Sequence, residues 1–287
     1  MASYLLGAAA IVAVIVAAEV IFIEPRCFRV RHQQLACRRA TGKLSVLHVS
    51  DFHFRARDAA KLRFVKHLAE REVDIVAITG DLIDETDGIG LCVEAVAAFR
   101  PRLGMFAVLG GHDYYFTRVR DIARQWLLRV HERHERVDTA ALVRGLEEAG
   151  ARVVTNERVE LDHEGMKVDV IGVDDPRHGR PDLDAAFAGA RADALQLALV
   201  HEPSVVEELA ERGPDVVLAG HTHGGQVRLP GIGALVTQAK LHRRHAAGVF
   251  RRGRTWFHLN HGIGTGRYVP FRIFCRPEAT VIEIVSE

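Results

Sequence analysis

The chain opens on an unbroken run of apolar and small residues, 4–18, which Glu19 interrupts and residues 20–23 extend. As a helix this stretch is about long enough to cross a bilayer. No basic residue precedes it, whereas a cleaved signal usually starts positive, so the reading is a retained anchor over 1–24. Residues 25–42 read as a basic linker with a short extended piece. From Lys43 the pattern changes to short apolar, often β-branched runs that end in polar residues. These runs, 44–49, 73–79, 105–109, 152–155, 168–173, 195–200, 216–219, 255–259 and 280–285, each predict a buried strand. Helical spacing fills the gaps. Residues 58–71 put Leu62, Val65 and Leu68 on one face, and 91–99, 117–134, 139–149 and 204–212 follow, the fourth capped by Asp138 and the last stopped by Gly213-Pro214. Strand–helix alternation indicates an α/β core. No linker divides 43–287, which is therefore expected to be one domain.

Composition adds exclusions. Lys and Arg number 38 against 37 Asp and Glu, too balanced for a general polyanion binder, so nucleic acid is not an expected partner. The four cysteines are scattered without a CxxC pair, as thiols in a reducing compartment would be, and any metal should be held by oxygen and nitrogen. Charge is asymmetric about the anchor. Only the terminal amine precedes it, while Arg26, Arg29, Arg31, Arg38, Arg39 and Lys43 follow. Positive flanks stay on the cytoplasmic side, so the body should face the cytoplasm, with its basic flank able to meet anionic head groups.

Candidate chemistry lies where the predicted strands end. Asp51 and His53 follow the first run, Gly80-Asp81 the second, Gly110-Gly111-His112-Asp113 the third, and Gly220-His221-Thr222-His223 the run 216–219, while His201 ends 195–200. In an open α/β sheet, functional groups collect at the carboxyl ends of strands. On extended backbone, residues two apart point the same way, as two ligands of one metal or of adjacent metals must. A lone D-x-H or H-x-H is most often structural or on the surface. Two Asp and five His converging from five strand ends are different, because burying them without a counter-charge would be strongly destabilising. Metal cations supply that charge.

These pieces, "SDFHF", "TGDLID", "GGHDYY", "VHEP" and "GHTHGGQ", resemble the calcineurin-like metallophosphoesterase superfamily, whose pattern is D-x-H, G-D, G-N-H followed by an acid, a lone H, and G-H-x-H. The resemblance spans about 44–285. It implies a four-layer α-β-β-α sandwich carried on an N-terminal transmembrane or anchor helix. It also implies two divalent metal ions, manganese first, with iron or zinc as alternatives. Asp51, His53 and His223 would hold one ion, His201 and His221 the other, and Asp81 would bridge. His112 would contact the phosphate and assist the leaving group, and Asp113 would either orient His112 or serve as a plain turn residue. One position departs from the pattern: Gly111 stands where the family has the Asn that feeds the second metal. Three readings follow: a loosely held second ion, a substitute ligand nearby, or an inactive protein. Retention of every other ligand favours activity.

The anchor, "HTHGGQ" and the closing segment "HGIGTGRYVPFRIFCRPEATVIEI" look like the membrane-associated branch, some members of which cleave UDP-2,3-diacylglucosamine in lipid A synthesis. The expectation is an inner-membrane phosphodiesterase whose partners are the bilayer and a phosphodiester, with a nucleotide-linked lipid as the leading substrate. A soluble or cell-wall-related phosphate ester is the enzyme alternative, and an inactive membrane-anchored protein that binds metal or phospholipid is the other. Arg118, Arg120 and Arg124, in the helical stretch 117–134, are candidate substrate contacts, either on a lid or on a solvated face. Arg243-Arg244 with Arg251-Arg252 and Arg254 forms a second basic stretch that would face phosphates or solvent.

Overall fold

The computed structural model describes residues 2–116, 135–237, 239–266 and 269–287. The predicted helix 117–134 lies outside them. The apolar start forms helix α1, Ala2–Ala18, prolonged by a wide turn, Glu19–Ile23, and a tight one, Glu24–Arg26. The stretch Gly7–Arg26 is long and apolar enough to cross a membrane. Ile11, Val14, Ile15 and Phe22 stand exposed on it, while its base is tied to the body. The Arg272 amide donates to the Val20 carbonyl (3.0 Å), and the Cys275 amide donates to the buried Glu24 carboxylate (2.6 Å).

The body is built on twelve strands in two six-stranded sheets. In chain order they are β1 Arg29–Cys37, β2 Leu44–Val49, β3 Ile75–Thr79, β4 Gly104–Val108, β5 Ala151–Val153, β6 Glu157–His163, β7 Met166–Gly172, β8 Leu195–Leu199, β9 Val216–Ala219, β10 Gly248–Arg252, β11 Thr255–Leu259 and β12 Glu278–Ser286. The first sheet runs β1-β12-β2-β3-β4-β5 and the second β10-β11-β9-β8-β7-β6. Within them β2, β3, β4 and β5 are mutually parallel, as are β7, β8, β9 and β11. The main helices of the body are α2 Ala59–Leu68, α3 Ile89–Val96, α4 Thr139–Glu148 and α5 Val206–Arg212. The Asp138 carboxylate accepts from the Ala141 amide at 2.9 Å and starts α4 as the sequence implies.

Alternation along the strands sorts the core. Val46, Ala77, Phe106, Leu197, Leu218 and Ile284 meet in an apolar layer made from both sheets. Leu47, Val76 and Ala107 face the other way, against Val65, Cys92 and Leu142 of α2, α3 and α4. Ala198, Val217 and Leu259 pack against Val206 and Leu209 of α5. Helices therefore cover the outer face of each sheet, in a mixed α/β metallophosphoesterase-type fold.

Residues 25–42 correct the reading of a linker. Nine of them form β1, which pairs in parallel with β12 over its whole length. The basic flank is also spent inside the fold. Arg29 and Arg31 sit 2.7 and 3.0 Å from Glu278, Arg38 is 2.8 Å from Glu287, Arg39 is 2.9 Å from Asp215, and Lys43 is 2.7 Å from Glu283.

Candidate metal centre and active site

The ends of β2, β3, β4, β8 and β9 meet at one edge. Three groups of donor atoms form there, each within 4.8 Å: Asp51, His53 and His223; His53, Asp81 and His112; and Asp81, His201 and His221. All seven chemical residues legible in the sequence are thus brought together. Asp81 and His53 each belong to two groups, so the three groups are linked through shared donors.

The means of convergence differs from the expectation of extended backbone. Asp51, His53, Asp81, His221 and His223 all have positive φ, between 46° and 69°, a left-handed conformation that non-glycine residues rarely adopt. Side chains converge because the loops turn sharply after each strand, not because of strand alternation. Backbone bonds between loops hold that strain. The Asp51 and His53 amides donate to the Gly80 and Asp81 carbonyls (2.9 and 3.0 Å), and the Gly220 amide donates to the His201 carbonyl (3.1 Å). Strain of this kind, over-determined by its surroundings, is characteristic of functional sites.

Two of the rings are oriented from behind. His53 Nδ1 lies 2.6 Å from Asp84 Oδ1, leaving Nε2 towards His223 Nε2 at 3.1 Å. His201 Nδ1 bonds the Thr79 carbonyl at 2.8 Å, leaving Nε2 3.1 Å from Asp81 Oδ2. A carboxylate or carbonyl behind a ligating imidazole is the arrangement metal sites use to fix the tautomer. Ser50 Oγ donates to Asp51 Oδ2, and the His221 amide donates to Asp51 Oδ1 at 3.1 Å. Arg272, wholly buried, donates to the carbonyls of His261, Gly262 and Gly264, with its Nη2 3.4 Å from His223 Nδ1.

Charge here is unbalanced for a dry interior. Burial pushes the Asp51 carboxyl above its ordinary pKa. Burial acts the same way on Asp81, but His201 and His112 outweigh it and hold that carboxyl well below. Burial takes His221 down to about 4 and His223 well below its usual value. Among the described residues, His201 Nε2 and His221 Nε2 are buried without a hydrogen-bond partner, the first because its approach to Asp81 is not aligned for one. Oxygen and nitrogen donors aimed inward, with orphaned imidazole nitrogens, fit divalent cations and leave no role for sulfur.

Residues 44–225 match the family model described as calcineurin-like phosphoesterase. The chain belongs to that family. It is 30% identical over 250 residues to an uncharacterized metallophosphoesterase of Bacillus subtilis, YkoQ, with 85% of each chain covered. It is 24% identical over 274 residues to the phosphodiesterase YaeI of Escherichia coli, covering 92% of this chain and 91% of that one. A transmembrane protein with metallophosphoesterase domain from Danio rerio is 30% identical over 254 residues, covering 83% of this chain and 52% of that one. The protein is a hydrolase of phosphate esters, and the clustered Asp and His side chains are its candidate metal-binding groups.

Other expected contacts fall differently. The His112 side chain is 43% exposed, with its amide on Asp81 Oδ1 (2.9 Å) and its Nδ1 3.9 Å from Asp84. Asp113 does not orient it. The Asp113 carboxylate accepts from the amides of Leu82 (2.8 Å) and Gly110 (2.9 Å), so it fixes the turn against the loop after β3. Arg118, Arg120 and Arg124 lie outside the described residues. Arg251 and Arg252 pair with Glu287 and Glu207 at the start of the β10–β11 hairpin turn, away from the metal edge. Sequence reasoning missed Asp84 and Arg55, whose Nε lies 2.6 Å from Asp84 Oδ2. The only available signal was an acid three residues after Asp81 within "TGDLID".

Proposed function

We propose that this phosphoesterase is a two-cation phosphodiesterase acting on a phosphodiester presented at the membrane that holds α1, with its body on the cytoplasmic side of a cell inner membrane. One observation carries the reading. A groove of about 420 Å³ runs between the base of α1 and the metal edge, lined by Phe22, Arg26, Phe28, Arg55, Arg57 and Ile263 among others. Apolar and basic groups share its lining, with Asp58 beside them, a mix that suits an acyl chain next to a phosphate. Its far end reaches the chemistry. Arg55 bonds the Asp84 that holds His53, and next to Ile263 the Gly264 amide donates to the Asp51 carbonyl. A larger cleft of about 640 Å³ opens beside Asp74 and Arg102 and holds none of the site residues.

A pair of divalent cations, manganese first, would supply Lewis-acid charge neutralisation and would acidify water at the site. Asp51, His53 and His223 are placed for one cation, His201 and His221 for the other, with Asp81 shared. His112, open to solvent beside His53, is placed to contact the phosphoryl oxygens and to give a proton to the departing oxygen. Arg55 and Arg57 meet the phosphate from the groove side. The leading substrate is a nucleotide-linked lipid such as UDP-2,3-diacylglucosamine, supported by the resemblance of the anchor and closing segment.

The test uses full-length protein in detergent with Mn2+. Turnover of bis-p-nitrophenyl phosphate and of solubilised UDP-diacylglucosamine is expected, with the lipid preferred, and Asp81→Ala should abolish both. Equal rates in wild type and variant would refute the site. Preference for the soluble diester would remove the membrane reading while leaving the hydrolase intact.

A further inference from the structure

The second cation's trio, Asp81, His201 and His221, is one donor poorer than the family pattern, because Gly111 has no side chain to offer. The structure fills that place from another strand. A Cβ built on Gly111 would lie 2.6 Å from His178 Nδ1 and 3.0 Å from its Cε1. An amide oxygen on an Asn side chain stands at a similar distance from its own Cβ, on the order of 2.4 Å from standard bond lengths. The imidazole nitrogen of His178 thus occupies a distance shell in which the missing amide would sit. Next to it, a Cβ on Gly110 would meet the Asp81 carboxylate and, at 2.7 Å, His201 Cδ2. The trio thus crowds Gly110, and His178 crowds the neighbouring Gly111.

His178 arrives by the same topology as the other ligands. It lies on the loop after β7, the neighbour of β8, whose end carries His201. That loop is rigid and clamped to the Gly111 turn. The buried Asp175 carboxylate accepts from the amides of Arg177 (3.0 Å) and His178 (2.7 Å). Asp174 accepts from the Arg180 amide and from the Tyr114 hydroxyl (2.6 Å), on the turn Gly111–Tyr114 itself. The rings of His178 and Tyr115 are 5.9 Å apart. Asp175 Oδ1 also lies 3.4 Å from His178 Nδ1, a charge close enough to favour a cation there.

We propose that His178 is a ligand of the second cation, taking the place left by Gly111. The assignment rests on the two-cation reading above. In the structure His178 stands outside the trio's 4.8 Å circle, so ligation requires its ring to close that gap, beside a Gly111 whose Cβ would collide with it.

Titration of Mn2+ into metal-stripped full-length protein in detergent, followed by calorimetry, tests this. Wild type should show two sites. His178→Ala should weaken one of them at least tenfold and leave the other unchanged, and His178→Gln, which keeps a donor oxygen, should retain more affinity than Ala. Gly111→Asn alone should bring no gain, because its Cβ collides with His178, whereas Gly111→Asn in the His178→Ala background should restore the lost site. A merely structural His178 would show no such rescue. Two unchanged sites in His178→Ala would overturn the assignment with the two-cation reading intact, and a wild type that takes up no metal would overturn both.

Discussion

Gly220→Ala should damage the metal centre without unfolding the protein. Gly220 joins the end of β9 to His221, and a methyl there would overlap Ser50 Oγ outright and lie 2.6 Å from Asp51 Oδ2 and 2.9 Å from the Thr79 carbonyl. Normal contact needs about 3.5 Å, so the Asp51 carboxylate must retreat by roughly 1 Å. The Asp51 backbone cannot follow easily. It sits at φ 51°, its amide is bonded to the Gly80 carbonyl, and its own carbonyl accepts from Gly264. Overpacking of this order costs about 1–3 kcal/mol. If that strain falls on the liganded arrangement, affinity for the cation on Asp51 drops by about 10- to 100-fold at ~1.4 kcal/mol per tenfold. Calorimetric Mn2+ titration measures it, with circular dichroism to show that the fold survives. Gly90→Ala, on α3 with open space around its Cβ position, is the matched control and should bind as wild type does. Wild-type affinity in Gly220→Ala would show that Asp51 is not held where the cation needs it.

Three further outcomes follow from the contacts around the site. Asp84→Ala removes the acceptor behind His53 and should weaken metal binding by about 10- to 100-fold, and unchanged affinity would demote Asp84 to a structural acid. Arg272→Met leaves the carbonyls of His261, Gly264 and Cys275 without their side-chain donor, while Gly262 keeps the Glu278 amide. At about 1 kcal/mol or more each, a clear fall in melting temperature is expected, and an unchanged one would contradict the role assigned to that guanidinium. Glu278 gives a pH prediction. Burial opposes its ionisation, but His261 3.3 Å away and the charges of Arg29 and Arg31 bring its carboxyl from 4.5 down to about 2. Burial keeps His261 below its own usual value, so at neutral pH the arginines carry the charge. A depressed acid stabilises the fold above its ordinary pKa and loses that contribution as pH falls from 4.5 towards 2, here roughly 3 kcal/mol at most. Melting temperature should therefore fall more steeply with acid in wild type than in Glu278→Gln, and parallel slopes would rule the pairing out.

How much of this was legible in the sequence follows from burial. Central strands such as β3 and β8, buried along their whole length, read as short apolar runs and were found. The strands that escaped, β1, β6 and β10, are all sheet edges. An edge strand such as β6, with the sequence ERVELDH, keeps much of its surface in solvent and so carries charge where a central strand carries valine. β1 looked like a linker for the same reason, since the arginines that give it that appearance are the partners of Glu278. The ligands were visible because each sits directly after an apolar run. Asp84 and His178 were not, because what recruits them is a loop turning back in space, and nothing in local spacing encodes that. The roles of Asp113 and of the left-handed backbone at five of the ligands likewise emerge only from geometry.

The central claim, that Asp51, His53, Asp81, His201, His221 and His223 gather around a pair of cations, is tested most directly by counting metal. Full-length protein loaded with Mn2+, freed of excess and assayed by elemental mass spectrometry should carry two ions per chain, and Asp81→Ala, which removes the carboxylate common to both groups, should carry fewer than one. A wild type without bound metal, or an Asp81→Ala variant that keeps both ions, would contradict the account.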